Sequence, residues 1–223
     1  HSDIVKIDDE GVLTIKTQSK TYHFISDDGV TLDGKGNLIP STVIVKDSYN
    51  SSVGDIFDKD SINQHPLSYH YLAFLEDVGF HVVFRAQYYE DFDYLLISDK
   101  TGDVFFLNGI PHLSPSRKLI ATVHGDECCG VDHVAVWSIN DNKINNIFYT
   151  QGEMFYSKES SYWLASFVRW KNDNTLVLTA NTYSIDGKYC SDLLTNVPYI
   201  VKKTKAGWNI GLDTSQKLPE CRR

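Results

Sequence analysis

The sequence predicts an all-β protein made of stacked antiparallel sheets, and two observations lead to this fold class. The first is a pattern that occurs three times: a large apolar residue, five mostly polar residues, then an apolar run rich in β-forming residues. The residues that bracket each polar stretch are six positions apart; they are Phe74 and Phe80, Leu113 and Leu119, and Trp170 and Leu176. The second is a composition with 13% aromatic residues and one Met, which is typical of a strand-rich globule.

The chain is expected to form a single domain over residues 1–223, within which the patterning changes along the sequence. Residues 1–45 alternate between apolar and polar and are broken by Gly- and Asn-containing turns, which predicts an N-terminal meander of strands. Residues 46–67 are mostly polar and predict a long surface loop. Blade-like repeats are expected over 68–212, followed by a tail at 213–223.

Each copy of the repeated pattern continues with a predicted strand, a polar loop, a second strand, a tight turn and a third strand. The predicted strands cover residues 80–86, 94–98 and 104–107, then 119–124, 133–139 and 143–149, then 176–180, 199–203 and 208–212. The loops between the first two strands are predicted at 87–93, 125–132 and 181–196. A period of roughly 40 to 50 residues with about four strands per copy is the sequence sign of β-propeller blades. A meandering β-sandwich is the alternative architecture.

One of these copies carries a family resemblance. The segment 113–121, with the sequence LSPSRKLIA, resembles the Trp-Ser-Pro-Asp-Gly-Lys-x-Ile-Ala blade hairpin of TolB-type and WD-like β-propellers. Ser116 and Arg117 stand at the Asp and Gly positions of that motif, and residues 170–174 are similar to a degenerate copy. The resemblance implies a small or partial β-propeller-like stack of antiparallel sheets. It implies no function, because propellers include enzymes, lectins and scaffolds.

The charge of the chain limits the classes of partner. A formal net charge of -8 and a pI near 5.4 speak against nucleic-acid and anionic-membrane binding, because both need a basic surface. No apolar run approaches the ~18 to 20 residues that a membrane-spanning helix needs, so membrane insertion is not expected. A basic protein is the easier partner to accommodate.

Four cysteines, an even number without metal-ligand spacing, predict at least one disulfide. They are Cys128, Cys129, Cys190 and Cys221. A disulfide implies an oxidising compartment, so a secreted or periplasmic protein is expected, with a cytoplasmic protein with reduced thiols as the alternative. If adjacent blades bring equivalent loops together, Cys190 pairs with Cys128 or Cys129, and Cys221 ties the tail to the other.

The predicted loops, together with the insert 150–162 that separates the second copy from the third, combine acidic with aromatic residues. This combination suits recognition of a basic protein. The candidate partner-binding residues are Tyr88, Tyr89, Glu90, Asp91, Phe92, Asp93, Asp126, Glu127, Asp132, Phe155, Tyr156, Tyr183, Asp186 and Tyr189. The leading hypothesis is therefore a non-enzymatic secreted or periplasmic binding protein, of the kind represented by inhibitors and immunity proteins. Its oligomeric state is left open.

Two other functions are compatible with the sequence. In a carbohydrate-binding module, aromatic rings would stack on sugars, and the candidates are Trp163, Tyr88, Tyr89 and Trp208. In a hydrolase, loop carboxylates or the His- and Cys-containing segment 124–133 would act. Because that segment lacks a known ligand spacing and no nucleophile motif occurs, we expect no catalytic residue, no metal site and no cofactor.

Overall fold

The computed structural model of the chain describes residues 5–7, 12–25, 67–87, 91–126, 131–150, 163–185 and 188–222. Within these ranges the chain forms fifteen strands in several antiparallel sheets and no helix, so the predicted all-β class is confirmed. The chain divides into two compact units, His1–Leu107 and Asn108–Arg223. This division falls inside the segment predicted to carry the repeats; the single domain stays a prediction.

Unit 1 contains two antiparallel sheets in which consecutive strands are neighbours. Its strands are β1 (Val5–Ile7), β2 (Val12–Lys16), β3 (Thr21–Ile25), β4 (Leu67–Leu75), β5 (Phe80–Gln87), β6 (Asp91–Ser98) and β7 (Val104–Leu107). The first sheet has the order β1-β2-β3 and the second β4-β5-β6-β7. Both are meanders, as expected where short turns join successive strands.

The core of unit 1 follows from the alternation of side chains along its strands. Every second residue of a strand points to the same face, so the apolar residues of β2 and β3 collect on one side. The buried cluster consists of Leu13, Ile15, Tyr22, Phe24, Tyr69, Val83, Leu95 and Ile97. These residues come from both sheets, and their burial supplies the main driving force for packing one sheet on the other.

Unit 2 is one eight-stranded sheet. Its strands are β8 (His112–Leu113), β9 (Leu119–Asp126), β10 (Val131–Asn140), β11 (Lys143–Tyr149), β12 (Trp163–Asn172), β13 (Thr175–Ile185), β14 (Lys188–Thr204) and β15 (Gly207–Leu212). The strands β8 to β11 form one antiparallel meander and β12 to β15 form another. Among the described residues, one parallel strand pair, Val131 with Trp163, connects the two meanders. The turns β8–β9, β10–β11, β12–β13 and β14–β15 therefore lie at one end of the sheet.

The bracketing residues of the repeated pattern flank the first turn of each four-stranded meander. Trp170 and Leu176 are direct cross-strand partners at the β12–β13 turn. In the β8–β9 turn, the carbonyl of Ser114, which follows Leu113, accepts a hydrogen bond from the Arg117 N–H. Arg117 has φ 62°, a left-handed conformation that glycine adopts most readily, and Gly occupies this position in the blade motif that the segment resembles. Kinship with propellers stays a prediction, because strand order alone does not establish a family.

The strand boundaries correct the predicted loops. Residues 181–196 are not a loop, because β13 continues to Ile185 and β14 begins at Lys188. The predicted loops 87–93 and 125–132 are also too long, since strands reach Gln87 and Asp126 and resume at Asp91 and Val131. The strands that precede each polar stretch, β4, β8 and β12, have no counterpart among the predicted strand ranges, which give three of the roughly four strands expected per copy. The predicted surface loop 46–67 lies outside the described residues except for Leu67, which begins β4.

Candidate functional site

The register of unit 2 brings several predicted site segments to one end of the sheet. Val131 pairs with Trp163, Trp163 with Thr182, and Thr182 with Leu194, so four neighbouring strands contribute one row of backbone positions. The β13–β14 hairpin extends beyond this row. We call the row and the hairpin beyond it the loop end of unit 2.

The β13–β14 hairpin has an irregular pairing that shapes its surface. Ser184 pairs with Tyr189, and Thr182 pairs with Leu194, so four residues of β14 lie opposite a single residue of β13. A bulge of this kind bends the strand and redirects the side chains around it. Opposite the bulge, on β13, the Thr182 hydroxyl donates to the Ser184 carbonyl at 3.2 Å and accepts from the Ser184 N–H at 3.0 Å. These two hydrogen bonds fix the local conformation of β13.

Two candidate partner-binding residues meet on this hairpin. The rings of Tyr183 and Tyr189 are stacked, with centroids 6.3 Å apart and planes inclined by 23°. Tyr189 is 40% exposed, and Leu193 in the bulge is 38% exposed. The hairpin therefore presents aromatic and aliphatic surface to solvent, next to the charged and exposed Asp192.

The disulfide of this region corrects the predicted pairing. Cys190 is bonded to Cys221, with Cα atoms 5.1 Å apart, and not to Cys128 or Cys129, which lie outside the described residues. The prediction that Cys221 ties down the tail is right, but its partner lies in the bulge of β14. Ser191 reinforces the link, because its N–H donates to the Arg222 carbonyl at 2.9 Å. Because residues 188–204 form a strand, the position of Cys190 is fixed beside the tail. A flexible loop would not fix that position.

Asp93 in unit 1 has a local partner. Its carboxylate forms an ion pair with the Arg85 guanidinium, which also lies 5.5 Å from the centre of the Phe106 ring. Arg85 and Asp93 are cross-strand partners on β5 and β6, where opposite charges stabilise a sheet. The charge of Asp93 is therefore compensated within unit 1.

The other candidate binding residues divide into two groups. Some lie in described strands: Asp91 and Phe92 begin β6, Asp126 ends β9, and Asp132 is near the start of β10. The rest lie outside the described residues; they are Tyr88, Tyr89, Glu90, Glu127, Phe155, Tyr156 and Asp186.

Two aromatic residues proposed for sugar stacking are packed into unit 2. Trp163 is fully buried, and its ring meets Tyr199 edge-on with centroids 5.4 Å apart. Trp208 is partly buried and packs on Trp170 at 6.0 Å. A sugar platform needs an exposed ring face, so Trp163 does not fill the role proposed for it.

The His- and Cys-containing segment shows a structural role for its last residue. The His133 ring stacks on Tyr149 at 4.9 Å, and its Nδ1 lies 3.1 Å from the Thr150 carbonyl, where a protonated nitrogen donates. Burial raises the pKa of Tyr149. Among the described residues no group of three or more His, Cys, Asp or Glu side chains could hold a metal ion.

A buried histidine in unit 1 forms a constellation that sequence reasoning did not identify. The His81 side chain is only 2% exposed; its Nδ1 lies 3.3 Å from the Tyr71 hydroxyl and its Nε2 lies 3.5 Å from an Asp99 oxygen. Asp99 also accepts from the Gln18 side chain at 2.8 Å, which links the β2–β3 turn to the β6–β7 turn. Burial lowers the pKa of His81, and the nearby Asp99 opposes this effect. His81 is too enclosed to meet a substrate, so we assign it to the core.

The His81 environment predicts a pH dependence of stability. Because the folded pKa lies below that of an unfolded His, near 6.5, the unfolded chain binds the proton first as pH falls. The free energy of unfolding should therefore decrease below about pH 6.5, and the loss should be smaller in His81→Phe. Urea unfolding followed by circular dichroism at pH 7.5 and 5.5 measures this difference. His70→Phe, at an exposed position on β4, is the control, and an equal pH effect in wild type and His81→Phe would contradict the assignment.

Comparisons with known proteins name no relative: no family model, no curated protein and no solved structure matches the chain. Within the ranges that the structure describes, no helix has the length and apolar character to cross a membrane.

Proposed function

We propose that the protein is a non-enzymatic binding protein that recognises a protein partner through the loop end of unit 2. The observation that carries this proposal is the stacked Tyr183–Tyr189 pair, with Tyr189 exposed, on a hairpin whose strand β14 is held by a disulfide. Tyrosine is among the residue types enriched at the energetic centres of protein interfaces, since it offers a large apolar area and a polar hydroxyl.

Rigidity of the hairpin supports the same function. Cys190 follows Tyr189 directly, and its bond to Cys221 with the Ser191–Arg222 hydrogen bond anchors this part of β14 to the tail. An anchored side chain loses less conformational freedom on binding than one on a flexible loop, so more of its contact energy appears as affinity. The hairpin is thus suited to present the tyrosines in one arrangement.

Charge favours a basic partner. In unit 2 the segments 125–132 and 181–196 contain five acidic residues and one lysine, and Asp192, three residues after Tyr189, is exposed. Carboxylates around an aromatic centre attract a cationic protein and orient it during encounter. Binding of a basic toxin or hydrolase, as by an inhibitor or immunity protein, fits this chemistry. The disulfide is compatible with a secreted or periplasmic location, because such bonds form in oxidising compartments.

Partner capture tests this function. The full chain is immobilised and exposed to the extracellular proteins of its source, and a retained basic protein is purified and titrated. Tyr183→Ala combined with Tyr189→Ala should weaken its affinity at least about tenfold, because central aromatic anchors typically contribute this much. Tyr149→Ala, which removes a tyrosine that is 46% exposed on β11, should leave the affinity unchanged.

Two outcomes would contradict the proposal. One is equal affinity of the captured protein for the wild type and the double tyrosine variant. The other is binding of neutral glycans that is lost in the double variant and insensitive to salt, which would favour the carbohydrate-binding alternative.

A further inference from the structure

The negative charge of the chain is unevenly distributed between the two units. Unit 1 contains 18 Asp and Glu against 8 Lys and Arg, whereas unit 2 contains 11 against 13. Unit 1 therefore has a net charge of -10 and unit 2 of +2. The negative charge of the whole chain therefore does not exclude binding of an anionic ligand to unit 2.

Basic residues of unit 2 concentrate at the end of the sheet opposite the loop end. The parallel pairing of β10 with β12 places the turns β8–β9, β10–β11, β12–β13 and β14–β15 at this end. Seven exposed basic residues lie on these turns or within three residues of them: Arg117, Lys118, Lys143, Lys171, Lys202, Lys203 and Lys205. Only Asp141 and Asp173 are acidic in the same segments. We call this surface the basic turn end.

Hydrogen bonds hold neighbouring turns in position. The Ser116 N–H donates to the Asp173 carboxylate at 2.9 Å, joining the β8–β9 turn to the β12–β13 turn. The Ile139 N–H donates to the Lys118 carbonyl at 2.9 Å, joining the β8–β9 turn to the end of β10. The lysines are therefore carried by a fixed backbone, and their charges act together on a ligand that spans several turns.

The chemistry of the basic turn end selects among polyanions. Six of its seven cations are lysines, which act as point charges and suit repeated anionic groups without fixed bidentate geometry. In the described part of the chain, none of the exposed large hydrophobic residues lies on these turns. Trp170 and Trp208, within three residues of these turns, are partly buried and pack on each other. The surface thus offers no fully exposed ring for stacking single-stranded nucleic acid and no exposed large apolar group that would anchor a peripheral protein in a bilayer.

We propose that the basic turn end binds a sulfated polysaccharide. The same unit contains the Cys190–Cys221 disulfide, which forms in oxidising compartments, where extracellular sulfated glycans are the accessible linear polyanions. At physiological salt, charges separated by more than ~8 to 10 Å are largely screened, so the local lysine charge governs an anionic contact more than the net charge of the whole chain does. The ligand spans the turns, and its sulfates contact lysine ammonium groups.

Titration of the full chain with heparin, a sulfated polysaccharide probe, tests the proposal. Lys202→Gln, Lys203→Gln and Lys205→Gln together should weaken heparin affinity at least tenfold. The slope of log affinity against log salt should fall by about 2 to 3, since each phosphate- or sulfate-contacting lysine contributes about one. The matched control, Lys188→Gln, Lys217→Gln and Arg222→Gln, removes three charges elsewhere in unit 2 and should retain the wild-type affinity. Circular dichroism verifies that both variants are folded.

Four results would overturn the proposal. They are no binding of heparin by the wild type, equal weakening in both triple variants, equal binding of desulfated heparin, and tighter binding of a DNA duplex or of phosphatidylserine vesicles than of heparin. Equal weakening in both triple variants would indicate that heparin binding responds only to the net charge of the chain. The last would assign the surface to a different anionic partner.

Discussion

Replacing Trp163 with alanine is expected to lower the free energy of unfolding by about 3 to 5 kcal/mol, the usual cost of removing a large buried aromatic side chain. Trp163 is 0% exposed and belongs to the main core cluster of unit 2. It contacts Tyr199 edge-on, and its backbone pairs with Val131 of the other meander. The alanine variant leaves a cavity where these two meanders join.

Urea unfolding followed by far-UV circular dichroism measures the loss. Trp208→Ala is the matched control, because Trp208 packs on the same core but is partly exposed. Its cost should be smaller, about half that of Trp163→Ala, in proportion to the apolar area removed from water. Equal costs for the two variants would show that burial of Trp163 does not determine the stability of unit 2.

Replacing both Cys190 and Cys221 with serine is expected to destabilise the protein by about 3 to 4 kcal/mol. The disulfide joins residues separated by 31 positions, so it restricts the unfolded chain substantially. In the folded protein it holds the tail, in which Leu218 and Cys221 pack against the core. Loss of the bond also removes the constraint that positions Ser191 beside Arg222.

Two measurements check the role of the disulfide. Peptide mass spectrometry under non-reducing conditions should recover Cys190 linked to Cys221. Urea unfolding with and without reductant should show a large effect of reductant on the wild type and little effect on the double serine variant. If reductant destabilises both proteins equally, the Cys190–Cys221 bond is not the source of the stabilisation.

Local patterns in the sequence were sufficient where the structure depends on neighbours along the chain. The predicted turn at 140–142 forms, with Asp141 and Asn142 at φ 49° and 64°, the left-handed values that tight hairpins require. The six-residue spacing of the bracketing residues reflects a hairpin turn, another local structure. Alternation identified most strands in the same way, because side-chain direction has a period of two.

Long-range pairing was inaccessible to the same reasoning. Residues 181–196 are polar enough to resemble a loop, but β13 and β14 pair through Ile185 and Lys188 and satisfy each other's backbone groups. Cys190 meets Cys221 because β14 and the tail converge, whereas the prediction assumed contact between equivalent loops. Trp163 follows a segment without clear periodicity, so nothing local indicated whether its ring points into the core or into solvent.

The sequence by itself determined the all-β class, the hairpin turns and the presence of aromatic and acidic residues in the connecting segments, since each depends on residue type and local spacing. Only the tertiary structure decided the disulfide partner, the stacking of Tyr183 on Tyr189 and the collection of lysines at one end of unit 2. These features depend on which strands become neighbours and in what register. A one-residue change in register would send the same side chains to the opposite face.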